Sequence, residues 1–193
     1  MKNAIITFVL FCLLKAINGQ TPEDTLPSLY LKSHIGFLIG TVESEMKAPF
    51  SFMSDINVRA SKVLHAGMGS GLEFFQTTYI PIYLVISAKP FTRHIVFFCS
   101  GGYTFPLNKR VNFKDGYNYQ FSAGYFVNPE LTYIFCKPVN RHAFLVGIGY
   151  RYQRTDAKRL EPTNNYWPYN PSYDYTLITV LNRFSLRVGY IFF

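Results

Sequence analysis

Eight stretches of this chain change character at every residue. In residues 142–153, Phe144, Val146, Ile148, Tyr150 and Tyr152 fall on one side, with Leu145, Gly147, Gly149, Arg151 and Gln153 on the other. A period of two is the mark of an extended strand, whose successive side chains leave opposite faces. The same alternation runs through residues 34–43, 50–59, 63–75, 79–89, 94–105, 117–137 and 173–193. The sixth and eighth of these are long enough to include loop. Each of the others is about ten residues, the length that a tilted strand needs to cross a membrane.

The two faces differ in kind. In residues 63–75 the pattern sets Leu64, Ala66, Met68, Leu72 and Phe74 against His65, Gly67, Gly69, Gly71 and Glu73. Residues 79–89 set Ile80, Ile82, Leu84 and Ile86 against Tyr83, Val85, Ser87 and Lys89. One face is apolar and aromatic, and the other mixes glycine with charge. Glycine weakens a strand and offers little to water, but it makes room where facing side chains crowd. The interior of a closed eight-stranded barrel is crowded in this way. The glycine-and-charge face therefore belongs inside a narrow barrel and the apolar face against lipid, where backbone polarity demands closure. The expected fold is all-β, an eight-stranded antiparallel transmembrane barrel of the outer-membrane type. A soluble lipocalin-like barrel is the alternative fold, and it would want an apolar interior.

The connections fit this architecture. "RASK", "KPFTRH" and "KPVNRH" are short and basic, and they alternate with longer segments that end in "RTDAKRLEPTNNYWPYNPSYDY". Short turns at one rim and long loops at the other is the outer-membrane pattern. The first twenty residues, "MKNAIITFVLFCLLKAINGQ", read as a signal peptide with one early Lys and an apolar core. Cleavage is expected near Gly19. Residues 20–30 would then form a short periplasmic segment and residues 31–193 the barrel. Losing Lys2 and Lys15 lowers the net charge from +8 to about +6. Two cysteines remain, Cys99 and Cys136, and the strand register puts them on opposite faces, so two unpaired thiols are expected.

The chain ends in "RFSLRVGYIFF", apolar in one phase to Phe192. This ending resembles the C-terminal assembly signal of Gram-negative outer-membrane proteins, carried here by Tyr190, Phe192 and Phe193. Phe193 stands one residue beyond the phase. The resemblance implies the barrel-insertion machinery as a partner. The segments "APFSFMSDINVR", "GMGSGLEFF", "TYIPIYLVI", "GGYTFPL", "FVNPELTY", "GIGYRYQ" and "RFSLRVGYIF", in that order, resemble the small outer-membrane β-barrel (porin-family-like) proteins of Bacteroidota. That likeness implies the eight-stranded fold and little about activity.

The inward charges are the first candidate site. The register places Asp55, Glu73 and Glu130 inside with Arg59, Lys89, Arg151, Arg183 and Arg187. Buried charges must pair or bind something. The expected outcome is a luminal salt-bridge network, with Glu73 and Glu130 each meeting an Arg of the last two strands. The second candidate is the last long loop, where Tyr166, Trp167, Tyr169 and Tyr173 make an amphipathic surface suited to recognition or to the membrane interface. Lys158 and Arg159, with Lys109, Arg110 and Lys114 of the neighbouring loop, form a basic rim facing lipopolysaccharide phosphates.

Chemistry has little support in the sequence. "GMGSG" has its glycines at period two inside a strand, the wrong context for a phosphate loop. The histidines (His34, His65, His94 and His142) have no metal-ligand spacing and fall at or near expected periplasmic strand ends. A lipid-modifying barrel enzyme needs a Ser–His pair at the other rim, and Ser61 with His65 is the one close pair here. No cofactor, no metal and no nucleic acid are expected. The expected role is non-enzymatic, in the outer membrane: structural support or surface recognition of an extracellular ligand, in contact with outer-membrane lipid and lipopolysaccharide. A narrow pore is the first alternative, and a lipid A-modifying enzyme the second.

Overall fold

The computed structural model describes residues 26–40, 50–61, 63–75, 77–89, 94–112, 118–135, 142–160 and 175–192. Among these residues ten strands form: β1 (Leu29–Ile39), β2 (Phe50–Arg59), β3 (Leu64–Phe74), β4 (Thr78–Ala88), β5 (Ile95–Pro106), β6 (Arg110–Asn112), β7 (Asn118–Phe121), β8 (Gly124–Phe135), β9 (His142–Leu160) and β10 (Tyr175–Phe192). The strands pair in the order β1-β2-β3-β4-β5-β8-β9-β10, and β10 returns to β1 from Phe184 to Phe192. All pairs are antiparallel, so eight strands close a barrel and leave no edge exposed to hydrocarbon. The remaining two, β6 and β7, form a small hairpin laid against the end of β9.

The two faces separate as the period of two requires. Phe184, Met68, Leu84 and Ile148 point outward with 62–70 % of their surface free. So large an apolar band is a liability in water and a fit in lipid. Near one rim the band carries a chain of ring contacts, Tyr133 to Phe135, Phe135 to Phe144, Phe144 to Tyr190 and Tyr190 to Phe192. Cys99 is a free thiol on this outward face of β5. Cys136 lies outside the described residues.

Glycine makes room inside, as at Gly69. Tyr83 points into the barrel, and a Cβ on Gly69 would meet its hydroxyl at 2.6 Å. A large ring is accommodated because the neighbouring strand gives up its side chain.

Three strand assignments differ from the sequence reading. The first strand begins at Leu29, not His34, so Tyr30 and Lys32 belong to the barrel. The stretch 117–137 is broken at Ser122 and Ala123, where the chain passes from the β6–β7 hairpin into the barrel wall. The seventh strand continues to Leu160, because residues 154–159 pair with β10 on one side and residues 157–160 with β7 on the other. The eighth is described from Tyr175 to Phe192, and Tyr173, where it was expected to begin, and Phe193 lie outside the described residues. The β9–β10 ribbon thus rises past the rest of the wall at the rim that joins residues 40–49, 75–77, 107–123 and 161–174.

Candidate functional site in the barrel lumen

Inward-facing side chains fill the barrel in tiers. Nearest the short-turn rim, Val96, Ile134, Ala143, Leu145 and Ile191 are buried and apolar. Leu26, just before β1, is buried in the same cluster, and its carbonyl accepts a 2.5 Å hydrogen bond from Arg59 Nη2. The inward face is therefore not charged throughout. At its short-turn end the wall of β5, β8, β9 and β10 is apolar, while Asn57, His65, Ser87 and Lys89 are buried on the facing wall, with Arg59 at the rim.

The next tier is built around Asp55 on β2. One carboxylate oxygen accepts from Asn57 Nδ2 at 2.6 Å, and the other accepts from the Tyr83 hydroxyl at 3.1 Å. Lys32 Nζ stands 3.7 Å from that second oxygen and 3.8 Å from the centre of the Phe98 ring. Lys32 comes from β1 and Phe98 from β5, on opposite walls of the ring of strands. A cation held between a carboxylate and an aromatic face replaces part of the water it has lost.

Two Arg–Glu pairs follow. Arg187 Nη1 on β10 meets Glu130 Oε2 on β8 at 2.6 Å, and Thr132 donates to the other Glu130 oxygen at 2.7 Å. Arg151 Nη2 on β9 meets both oxygens of Glu73 on β3, at 2.6 and 2.8 Å. Its guanidinium lies 3.9 Å from the centre of the Phe126 ring, and its Nε donates to Gln153 Oε1 at 3.0 Å. All four charged side chains are almost completely buried.

The eight charges named from the sequence are thus divided. Asp55, Glu73, Glu130, Arg151 and Arg187 make these ion pairs. Arg59 sits at the short-turn rim, buried Lys89 follows the end of β4 at that same rim, and Arg183 lies towards the long-loop rim, 5.6 Å from the centre of the Phe75 ring. Lys32, the partner of Asp55, was missed because its strand was started too late.

Elsewhere the placements are mixed. Lys158 and Arg159 are not in a loop but in β9, opposite Gln120 and Tyr119 of β7. Lys109 and Arg110 are exposed beside them. Tyr166, Trp167, Tyr169, Tyr173 and Lys114 lie outside the described residues. His34 is not at a strand end: it is mid-strand and buried, opposite Gly189 and Met53. His65 is at the short-turn end, edge-on to Tyr30, and the Ser61 oxygen accepts the backbone N–H of Leu64 at 3.2 Å as a turn device. Among the described residues no three His, Cys, Asp or Glu side chains gather as a metal site. No helix there is long and apolar enough to cross a membrane, which says nothing of strands.

No protein-family model matches this chain, and no curated protein matches it. Solved structures do. The crystal structure of the outer membrane protein OprG from Pseudomonas aeruginosa superposes with a TM-score of 0.53 at 12 % identity, covering 85 % of this chain and 94 % of that one. At that identity the likeness is one of fold, and together with the closed ladder and the apolar outer band it makes this chain an eight-stranded β-barrel of the outer-membrane type.

Proposed function

We propose that this protein is a non-enzymatic barrel of the outer membrane whose role is structural or recognition-based, with its lumen shut and its long loops turned outward. The observation that carries this reading is the Glu73–Arg151 pair. β3 and β9 are four strands apart in either direction around the ring, so the pair is a strut across the barrel's diameter. The apolar cluster of Val96, Ile134, Ala143, Leu145 and Ile191, packed beside buried His65, Ser87 and Lys89, lies nearer the other end. A solute would have to break a buried ion pair, a barrier of several kcal/mol, and then pass a tier of packed side chains.

The orientation follows from strand parity. Both ends of the barrel sequence lie at the short-turn rim, which is periplasmic if export begins from that side. The lipid-facing rings near Tyr190 and Phe192 then sit at the inner interface, where aromatic side chains anchor a barrel. Lys109, Arg110 and Lys158 fall on the outer side, facing the phosphates of lipopolysaccharide.

Two measurements test this together. Membrane fractionation should place the protein in the outer membrane, with gel mobility that shifts on boiling in detergent. Liposomes carrying it should swell in arabinose no faster than empty ones. Fast swelling would replace this reading with the narrow pore.

A further inference from the structure

At the long-loop rim, where β4, β7, β9 and β10 meet, the barrel has a recess that the ion pairs do not fill. Phe75, Tyr79 and Phe121 form its aromatic walls, and Gln153, Thr155 and Thr179 supply its polar atoms. It has room for the centre of a water-sized group over about 20 Å³, within about 330 Å³ of empty space that includes its open mouth. A recess of this size takes one small polar group at its floor. The β6–β7 hairpin that carries Phe121 is fixed in place: Phe121 N–H donates to the Lys109 backbone carbonyl at 2.8 Å, and Ser122 N–H to the Asp156 backbone carbonyl at 2.9 Å.

Gln153 shows what kind of group the recess would take. The side chain is 1 % exposed. Arg151 has only donors, so the amide must turn its oxygen to the Arg151 Nε, 3.0 Å away. That leaves the amide nitrogen for the recess, and Gln153 Nε2 has no hydrogen-bond partner among the described residues. A buried N–H without an acceptor is costly, and its complement is an oxygen. None of the residues lining the recess is acidic. The nearby charges are Arg151, which holds Gln153, and Arg183, beside Phe75; the one carboxylate of the group, Glu73, is occupied by Arg151.

We propose that this recess is a binding site for a small aromatic carboxylate, its carboxylate on the Gln153 amide and its ring against Phe75, Tyr79 and Phe121 towards the mouth. The site goes beyond the sealed barrel: it needs no passage through the lumen, and it lies outside the Glu73–Arg151 strut.

Phenylacetate is the probe, with phenylacetamide as its neutral counterpart. Ligand-observed saturation-transfer NMR on the full chain in lipid nanodiscs, against empty nanodiscs, measures both. Saturable phenylacetate binding is expected, at least several-fold tighter than phenylacetamide. Gln153→Glu keeps an oxygen on Arg151 but turns a second carboxylate oxygen to the recess, and should weaken phenylacetate about tenfold or more. Phe121→Ala, which alters the hairpin and not the barrel wall, should weaken both probes. Four results would each overturn the site: no saturable phenylacetate binding, equal binding of the two probes, unchanged phenylacetate affinity in a heat-modifiable Gln153→Glu protein, or unchanged affinity in Phe121→Ala. Closed or conducting behaviour in liposomes has no bearing on these results.

Discussion

Arg151 and Glu73 come from strands on opposite sides of the barrel and meet at 2.6 Å across its lumen. An eight-stranded barrel is narrow enough for two long side chains to bridge it. The pair therefore acts on the fold as a cross-brace and on the lumen as a bar.

Removing one end of the brace should be worse than removing both. Glu73→Ala leaves the buried Arg151 cation without its carboxylate and should cost about 3–5 kcal/mol. The double variant Glu73→Leu with Arg151→Met removes both charges and should recover most of that loss. Urea unfolding in lipid vesicles measures each. If the double variant were as unstable as the single one, the charges would not be acting as a pair.

Two glycines should respond unequally to an added methyl group. A Cβ at Gly69 would collide with the Tyr83 ring, whose Cζ would be 2.5 Å away, whereas at Gly101 the nearest atom would be 3.5 Å away. Gly69→Ala should destabilise the barrel by about 1–3 kcal/mol and Gly101→Ala by less than about 0.5 kcal/mol. The same unfolding assay ranks them. Equal effects would mean that Tyr83 does not stand over Gly69.

The alternation made most of this fold legible in the sequence, because a period of two assigns a face to every residue between turns. Leu145, Arg151, Arg183 and Arg187 could be read as inward on that basis alone. What could not be read has physical causes. In "LYLKSH" the outward Ser33 interrupts the apolar series, so the start of β1 was invisible and Lys32 with it. In residues 154–160 charges occupy both phases, and only pairing with β7 and β10 makes them strand. The partner of each carboxylate depends on ring closure and tilt, which no single strand encodes. Gln153 gave no signal as a ligand group, because its free N–H follows from its contact with Arg151.

The outward face should reject charge according to depth. Leu84 is mid-strand and 66 % exposed, and Leu84→Arg should cost about 2–4 kcal/mol in a bilayer. Thr176, near the tip of the β9–β10 ribbon, should accept Arg for about 0–1 kcal/mol. Vesicle unfolding again decides. A tolerated Leu84→Arg would put that face in water.

Cys99 reports the same face chemically. In a chain carrying Cys136→Ser and starting at Gln20, the thiol at residue 99 should react in vesicles with an apolar maleimide and resist a charged one. Mass spectrometry of the intact protein reads the label. Rapid labelling by the charged reagent would place Cys99 in an aqueous space and invert the two faces.

The most direct test is electrical. Wild-type protein in a planar bilayer should pass no steady current above the bare membrane. The double variant Glu73→Ser with Arg151→Ser, checked for heat-modifiable mobility, should show brief openings as the bar is removed. A steady ohmic conductance from the wild type, unchanged in the variant, would contradict the account: ions would then pass through a lumen that the Glu73–Arg151 pair does not close.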